Sequence, residues 1–340
     1  MKKIATLILI FIFAAGLVSC GEENITEKNA AVFYEYFDTV TQITAYGKDK
    51  AEFDQNCTAV QQILEEYHRL MDIYRPYDGI NNLYTVNQAA GKAPVKVDKK
   101  LIDAVLYGKE LYKLTKGEMN IAFGSVTSLW HSAREDGTYI PTRAELEKAA
   151  AHCNIDDLVV DTENCTIFLR DEKMSVDMGA LGKGYACEMA ARMLEEAGAD
   201  GYALNIGGNI RVTGKKTEKD YWSAGIQNPD TASDQSYVCT VWLKENALVT
   251  SGSYIRYYTV DGVRYHHIID TQTLCPKNEF LSVSVLCGDS ALGDALSTAL
   301  FNMSPEEGKN LVEGLENTYA VWVDKNGNVF YSKGFEGYIK

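Results

Sequence analysis

The stretch from Ile255 to Ile268, IRYYTVDGVRYHHI, decides the fold class of this chain. Two strand-like runs, 255–260 and 263–268, flank Asp261-Gly262, a turn signal that favours a β-hairpin. Another hairpin is predicted around residues 325–327, KNG. Long strand-rich stretches broken by single helices do not give the regular βαβ alternation of a Rossmann fold. The sequence therefore predicts an α+β protein with mixed, largely antiparallel sheets flanked by helices.

Apolar spacing indicates where the other elements lie. The alternation from Tyr36 to Tyr46 is typical of a strand, whereas apolar residues between Val60 and Met71 repeat at helical spacing. The sequence SPEE at 304–307 is a capping box with proline at the first helical position, so a last helix begins there. Further helical patterns cover residues 101–114, 144–153, 183–197 and 291–303.

The first twenty residues differ from the rest of the chain. Lys2 and Lys3 precede an apolar run that ends in LVSC at Cys20. The run is shorter than the roughly 20 residues of a membrane span and is typical of an export signal. We expect a signal peptide over residues 1–19, lipidation of Cys20, a tether over 20–33 and one folded domain over 34–340. The mature protein would be lipid-anchored to a bacterial cell membrane on its periplasmic or extracytoplasmic side. A cleavable signal without a lipid is the alternative.

Composition and net charge exclude several classes of protein and of site. Of 340 residues, 46% are hydrophobic and 24% charged, as in a globular protein with a sizeable core. The net charge of −14 argues against nucleic-acid binding, which requires basic patches. The seven cysteines after Cys20 form no CxxC pair, so a metal cluster is not indicated. A Cys153–Cys165 disulfide is possible, but buried small hydrophobes are the favoured reading.

The segment SVDMGALGKGYACE, residues 175–188, places three glycines between a strand and a helix. Backbone amides freed by glycine at a helix N-terminus can hold a phosphate. A Walker A loop would need glycine where Asp177 stands, and a dinucleotide fingerprint would need glycine or alanine at Cys187. A tight turn with close packing explains the same glycines.

The helix that contains DALSTAL, residues 294–300, carries Asp294, Ser297 and Thr298 at spacings i, i+3 and i+4. These side chains therefore share one face. A carboxylate and two hydroxyls are hard oxygen ligands, suited to magnesium that also takes oxygens from a bound diphosphate. A solvated polar face near the helix start is the alternative.

The segment YHHIIDTQTLCP, residues 265–276, holds two of the five histidines. Adjacent strand residues face opposite ways, so at most one of His266 and His267 should line a given site. Such a histidine could deprotonate a hydroxyl nucleophile, although a structural histidine is equally consistent with the pattern. No GxSxG elbow is present, so hydrolase triad chemistry lacks support.

Taken in order, these segments resemble the ApbE family of FAD:protein FMN transferases, and the resemblance runs from Tyr36 to the C-terminus. Several motifs in a fixed order are far more specific than any one alone. The segments that carry the resemblance are Phe37-Asp-Thr, Tyr74-Arg-Pro, residues 176–186, Asn205-Ile-Gly-Gly-Asn, Gly225-Ile-Gln-Asn-Pro, Thr250-Ser-Gly, His267-Ile-Ile-Asp and Asp294-Ala-Leu-Ser-Thr-Ala-Leu.

The resemblance implies a single catalytic domain over 34–340 with a T-fold-related architecture, which cleaves FAD and attaches FMN to a Thr or Ser of an acceptor protein, with release of AMP. His267 would be the base. Magnesium would be held by the Ala180 carbonyl, Asp294 and Thr298, with Ser297 as a further ligand. FAD contacts would fall on Phe37, Tyr74, Glu118, Met119, Asn120, Asp177, Lys183 and Ile269.

Two segments depart from the family pattern. The usual Phe-Asp-Pro-Thr is here MNIA at 119–122, which replaces a carboxylate with Asn120. The usual Asp-Pro-x-Thr-Gly-x-Pro is DTQTLCP at 270–276, with Thr271 for proline and Leu274 for glycine. Two other functions stay open on the sequence alone: a Mg²⁺-dependent FAD pyrophosphatase that releases FMN and AMP, and an FAD-binding lipoprotein without chemistry.

Overall fold

The computed structural model describes residues 28–217, 220–230 and 232–340. The expected signal peptide, Cys20 and the tether up to residue 27 lie outside these residues. The helices are α1 (Lys50–Met71), α2 (Leu83–Gln88), α3 (Lys99–Leu114), α4 (Gly124–Asp136), α5 (Arg143–Ala150), α6 (Gly182–Glu196), α7 (Ser290–Asn302) and α8 (Pro305–Glu313). The strands are β1 (Lys28–Phe33), β2 (Thr41–Tyr46), β3 (Val95–Lys96), β4 (Leu158–Asp161), β5 (Thr166–Leu169), β6 (Tyr202–Ile206), β7 (Asn209–Thr213), β8 (Trp222–Gln227), β9 (Tyr237–Leu243), β10 (Ala247–Gly252), β11 (Tyr257–Val260), β12 (Val263–His266), β13 (Phe280–Cys287), β14 (Tyr319–Asp324) and β15 (Val329–Tyr331).

One eight-stranded sheet organises the molecule, in the order β1-β2-β6-β7-β10-β13-β14-β15. Every neighbouring pair in it is antiparallel. Smaller antiparallel sheets pair β3-β5-β4, β8-β9 and β11-β12. The α+β class and the largely antiparallel sheets predicted from the sequence are confirmed.

Successive side chains of a strand point to opposite faces of the sheet, so the apolar side chains form a core on each face. On β14, Trp322 packs into the large core under the helices, whereas its neighbour Val321 faces a smaller core covered by β8 and β9. Helices α1, α6 and α7 lie on the first face, and α7 packs directly against β10 and β13. The polar side of α7 is thereby fixed relative to the end of β10.

The hairpin β11-β12 pairs Val260 with Val263 across Asp261-Gly262, as predicted. It packs against α4 through Trp130 and Tyr265, whose rings are stacked with centroids 5.8 Å apart. These residues belong to a third apolar cluster, together with Phe123, Tyr258, Ile269 and Leu274. This aromatic cluster closes one end of the cleft described below.

Two sequence predictions near the N-terminus are wrong in their bounds. Residues 28–33 are not tether but strand β1, and Asn29 is buried with its side-chain amide donating to the Lys48 carbonyl at 2.9 Å. The strand predicted from Tyr36 begins only at Thr41. Phe37 and Asp38 have φ values of 54° and 50°, a left-handed conformation that cannot continue a strand. The alternating pattern there reflects packing of a turn.

All seven cysteines in the described part of the chain are free, and four of them are buried as expected, Cys57, Cys153, Cys187 and Cys287. Burial raises the pKa of Cys187 and of Cys287 to about 12, so both remain neutral thiols. Among the described residues, no helix combines the length and the apolar character that crossing a membrane requires.

Candidate active site

A cleft of about 400 Å³ lies where α6, α7, the end of β10 and the hairpin β11-β12 meet. Segments distant in the sequence line it, because the sheet brings their ends together. Most of the residues expected from the sequence are among them: Tyr74, Glu118, Met119, Asn120, Asp177, Ala180, Lys183, His267, Ile269, Asp294 and Thr298. Phe37 and Ser297 are not.

Helices α6 and α7 cross in direct contact at Gly184. A Cβ atom there would lie 2.5 Å from the Cβ of Asp294 and would also collide with the carbonyl oxygen of Ser290. The amide of Gly184, in the first turn of α6 where N–H groups lack partners within the helix, donates to Asp294 at 2.8 Å. Gly184 therefore supports the close-packing alternative, and its amide is engaged by Asp294.

The carboxylate of Asp294 is buried at the floor of the cleft, with 5% of its side chain exposed. The ammonium of Lys183 lies 3.4 Å from each of its oxygens, longer than a good charge-assisted hydrogen bond. Thr298 follows one turn later on α7, and both residues line the cleft together with Ala180. These are hard oxygen donors beside the positive charge of Lys183.

The donor set fits magnesium and not zinc. Among the described residues there is no group of three or more His, Cys, Asp or Glu side chains placed to hold a metal. Magnesium needs fewer protein ligands, since it keeps waters and takes oxygens from substrate phosphates. The Asp294 carboxylate, the Thr298 hydroxyl and the Ala180 backbone belong to residues that line the same cleft, and such a small set of oxygen donors matches that requirement.

Two predicted site residues, Phe37 and Ser297, are not part of the cleft lining. The hydroxyl of Ser297 is fully buried, donates to the Asp294 carbonyl at 3.0 Å and bonds the Ser251 hydroxyl at 2.8 Å. It therefore holds the hydroxyl of Ser251, which does line the cleft. The ring of Phe37 packs edge-on against His68, with centroids 5.5 Å apart, close to Gly182.

Both histidines of the pair reach the cleft, contrary to the expectation that only one would. The reason is local: β12 ends at His266, and the chain bends at His267, so strand alternation no longer applies. The two ring nitrogens of His266 are both engaged, Nδ1 accepting from the Ile268 amide and Nε2 facing the Lys277 carbonyl at 3.2 Å. Only His267 keeps a ring nitrogen for a ligand.

The environment of His267 favours a neutral base. Its Nδ1 lies 3.2 Å from the carbonyl oxygen of Arg256, which can only accept, so Nδ1 carries the proton and Nε2 has a lone pair. Solvent reaches the ring through the open cleft, yet protein surrounds it on most sides. This desolvation, followed by the positive charges of Arg256 and Lys183, lowers the pKa of His267 well below 6.5.

Asp177 and Asn120 shape the loops around the cleft. Asp177 accepts from the Thr127 hydroxyl and the Gly179 amide, both at 2.8 Å, which orders the loop before α6. Asn120, the departure from the family's aspartate, accepts from the Ala122 amide at 2.9 Å and donates to the Cys153 carbonyl at 3.0 Å. The amide thus makes a contact that a carboxylate could not.

Sequence reasoning missed several residues of the cleft. Arg256 lines it and donates to the Asp38 carbonyl at 3.0 Å. Tyr74 packs against His131, with ring centroids 5.2 Å apart, and His131 is within 2.8 Å of Arg134. Arg256 lay inside the hairpin segment that decided the fold, but nothing in the pattern distinguished it. The aromatic residues of α4 and the hairpin meet only through tertiary packing.

Oxygen donors beside a lysine, in one cleft with a neutral imidazole, are groups suited to the transfer or cleavage of a phosphate group. The chain belongs to the ApbE family, whose model matches residues 37–322. The resemblance noted in the sequence is thereby confirmed.

Individual relatives agree with this assignment. A Klebsiella pneumoniae protein named FAD:protein FMN transferase is 29% identical over 274 residues, covering 80% of this chain and 83% of its own. A Haemophilus influenzae protein of the same name is 26% identical and covers 100% of this chain and 98% of its own. The flavin transferase ApbE of Vibrio cholerae superimposes with a TM-score of 0.79 at 26% identity, over 92% of this chain and 99% of that one. The ApbE protein of Thermotoga maritima, at 24% identity and a TM-score of 0.82, shares the fold over 92% of this chain and 100% of its own.

Proposed function

We propose that this chain is a Mg²⁺-dependent FAD:protein FMN transferase, which cleaves FAD and attaches FMN through a phosphoester bond to a Thr or Ser of an acceptor protein, releasing AMP. The observation that carries the proposal is one cleft that holds the Asp294 and Thr298 oxygen donors, the Lys183 ammonium and the His267 base. The names of the relatives support FAD as substrate and protein as acceptor.

Asp294, Thr298 and the Ala180 carbonyl would hold the metal, which neutralises charge on the bridging and leaving phosphate oxygens when bound. Lys183 adds a positive charge beside the same oxygens and is already oriented by Asp294. Gly179, in the loop before α6, lines the cleft, and its lack of a side chain would let a diphosphate approach the backbone there. Phosphoryl transfer depends chiefly on such positioning and charge neutralisation.

His267 is the proposed general base, which takes the proton of the attacking hydroxyl. Its Nε2 accepts the proton of the acceptor hydroxyl while the hydroxyl oxygen forms a bond to the FMN-side phosphorus. The bond from that phosphorus to the bridging oxygen breaks, and AMP leaves with the electron pair. The hydrogen bond from Nδ1 to the Arg256 carbonyl fixes the ring and its tautomer during this step.

The test uses the intact protein with FAD, Mg²⁺ and a membrane-protein fraction from cells of its own source. We expect flavin fluorescence on an acceptor band in a denaturing gel, together with AMP. The variant His267→Ala should bind FAD normally and transfer FMN about 10²-fold more slowly, as for loss of a general base. The control is His152→Ala, whose side chain pairs with Asp171 outside the cleft.

Other outcomes separate the rival functions. Rapid release of FMN and AMP from FAD and Mg²⁺ without any acceptor would replace transfer by hydrolysis. Tight FAD binding without AMP under any condition would leave a flavin-binding protein and contradict the proposal. Normal turnover of His267→Ala would remove the assigned base.

We also propose that the mature protein is a lipoprotein, anchored through Cys20 with its catalytic domain outside the cytoplasm. The support is the LVSC segment after a basic start and an apolar run. Labelling cells with a radioactive fatty acid should mark the wild-type protein and not the Cys20→Ala variant. Equal labelling of both, or labelling of neither, would contradict the anchor.

A further inference from the structure

Ile255 is an apolar residue at the mouth of the cleft that neither the core nor the proposed chemistry uses. It lies between β10 and β11 and lines the cleft, and 70% of its surface is exposed. The three apolar clusters of the described residues do not include it. Single exposed apolar side chains are common on protein surfaces, so its position beside the base is what makes this one informative.

The backbone connects Ile255 directly to the surroundings of His267. The carbonyl oxygen of Arg256 accepts from the His267 amide at 3.1 Å and lies 3.2 Å from the ring Nδ1. Ile255, the next residue in the chain, is therefore held beside the imidazole. Consecutive Cα atoms of a protein segment are 3.8 Å apart, so a segment that presents a hydroxyl to His267 places its flanking residues on the rim of the cleft.

The segment that carries Ile255 is anchored on both sides. The ring of Tyr254 covers Gly252 so closely that a Cβ atom there would lie 2.5 Å from it. On the other side, the Arg256 guanidinium donates to the Asp38 carbonyl at 3.0 Å. Because these contacts already order the segment, Ile255 loses little conformational freedom when a partner binds, which favours recognition.

The contact between Arg256 and Asp38 joins Ile255 to further exposed apolar surface. Asp38 lies in the turn that follows the paired residues of β1 and β2. On the two sides of this turn, Tyr34 is 65% and Val40 is 48% exposed. Ile255, Val40 and Tyr34 are called the rim patch below.

We propose that the rim patch docks the acceptor protein, and that Ile255 contacts an apolar residue beside the Thr or Ser that receives FMN. The inference rests on the proposed function, since it takes a protein as the FMN acceptor. A cleft of about 400 Å³ has the size of a small-molecule site, so a protein acceptor has to bind at its mouth. Thr39, which precedes Val40, lines the cleft, so the patch and the cleft are continuous. Contiguous exposed apolar surface of this kind is typical of a protein interaction site.

The first experiment separates acceptor binding from FAD binding. The membrane-protein fraction used above is added in increasing amounts to the protein with saturating FAD and Mg²⁺, and gel fluorescence gives the initial rate of FMN transfer. We expect Ile255→Asp to need about 10-fold or more of the fraction to reach half of its maximal rate, because a carboxylate replaces the apolar contact. Its dissociation constant for FAD, measured by flavin fluorescence, should be unchanged.

Three further variants serve as controls. Val263→Asp adds the same charge at the turn of the hairpin, on a residue that is also exposed but does not line the cleft, and should behave as wild type. Ile255→Leu keeps the apolar surface and should restore the wild-type requirement for acceptor. Tyr34→Ser, farther along the patch, should raise that requirement less than Ile255→Asp does. Thermal melting checks that each variant is folded.

The second experiment locates the contact on the acceptor. Mass spectrometry of the fluorescent band identifies the modified Thr or Ser, and we expect an apolar residue adjacent to it or next but one. Replacing that residue with Ser in the purified acceptor should raise the half-maximal amount for wild type. It should have no further effect with Ile255→Asp, because the two side chains form one contact. Additive effects would show that they do not touch and would overturn the assignment.

The remaining outcomes distinguish this inference from the proposed function. If Ile255→Asp transfers FMN with the wild-type requirement for acceptor, the rim patch is not the docking site and the proposed function stands. If Ile255→Asp loses FAD affinity by the same factor, Ile255 contacts FAD and the inference is wrong. If light scattering shows a wild-type dimer that Ile255→Asp dissociates with no change in acceptor requirement, the patch binds a second copy instead. If wild type transfers no FMN to any protein, both proposals fail.

Discussion

The residue scale is where His266 and His267 acquire different roles. Identical side chains next to each other differ because His266 is buried against Phe301 with both nitrogens engaged, whereas His267 lies past the strand end with Nε2 available. The residue type suggested a base in this segment, and the resemblance selected His267. Strand alternation was no guide to the pair, because both histidines line the cleft. The tautomer depends on the Arg256 carbonyl, which only the folded hairpin places there.

The lowered pKa of His267 gives a testable consequence. A histidine with a folded-state pKa below 6.5 remains neutral, and hence a base, as pH falls through 6.5. We expect the His267 ring resonances of the protein without FAD to show no protonation between about pH 7.5 and 6, assigned by comparison with His267→Ala in NMR spectra. A midpoint at or above 6.5 would contradict the effect of burial, Arg256 and Lys183.

Asp294 accepts a hydrogen bond from the Gly184 amide and is also the proposed carboxylate ligand of Mg²⁺. One substitution can separate these two roles. The isosteric Asp294→Asn keeps an acceptor for the Gly184 amide but removes the negative charge that a divalent cation needs. We therefore expect a folded protein with little change in melting temperature, Mg²⁺ dependence shifted to much higher concentrations, and FMN transfer reduced by about 10²-fold or more. Calorimetric titration of Mg²⁺ in the presence of ADP measures the change in Mg²⁺ affinity. Wild-type Mg²⁺ affinity in Asp294→Asn would remove this residue from the metal site.

At the scale of elements, periodicity predicted most helices with bounds close to those observed. The pattern at 183–197 corresponds to α6 at Gly182–Glu196, and the SPEE capping box begins α8 with both of its hydrogen bonds present. Such signals are local and therefore readable in a sequence. The start of β2 was predicted too early because Phe37 and Asp38 alternate in polarity but turn the chain. How closely α6 and α7 approach depends on both helices at once.

The variant Gly184→Ala tests how closely α6 and α7 pack. Alanine normally favours a helix over glycine by about 1 kcal/mol, so a gain in stability would be expected for an isolated helix. Here the new Cβ would collide with Asp294 and with the Ser290 backbone, so we expect a loss of about 1–3 kcal/mol in the free energy of unfolding. Chemical denaturation measures it, and weaker Mg²⁺ binding should accompany it because Asp294 is displaced. Gly314→Ala is the control, since its Cβ would meet only atoms at 3.5 Å. A stabilised Gly184→Ala protein would show that the helices can separate without cost.

At the scale of the whole molecule, the site exists because the sheet order differs from the order of the chain. Strand β10 lies between β7 and β13, which places Thr250 and Ser251 beside α7, and the hairpin then returns His267 to the same cleft. Pairwise hairpins such as β11-β12 and β14-β15 could be predicted from their turns. Non-consecutive pairs such as β2-β6 could not, because no local signal specifies which distant strand is the partner. The motif order of the family supplied that information indirectly.

The N-terminal boundary gives a prediction about the whole molecule. A protein that begins at Lys28 keeps every described element, so we expect wild-type melting temperature and FAD cleavage without membrane attachment. A protein that begins at Tyr34 lacks β1, whose Ala31 and Phe33 pack on the main core and whose residues 28–33 pair along all of β2. Removing that strand exposes apolar surface and the edge of the sheet, so the melting temperature should fall by several degrees, with a tendency to aggregate. Scanning calorimetry and light scattering compare the two proteins. Equal melting temperatures for the two proteins would show that residues 28–33 are a tether. A lower melting temperature for the protein that begins at Lys28 than for the full chain would show that the domain extends further toward Cys20.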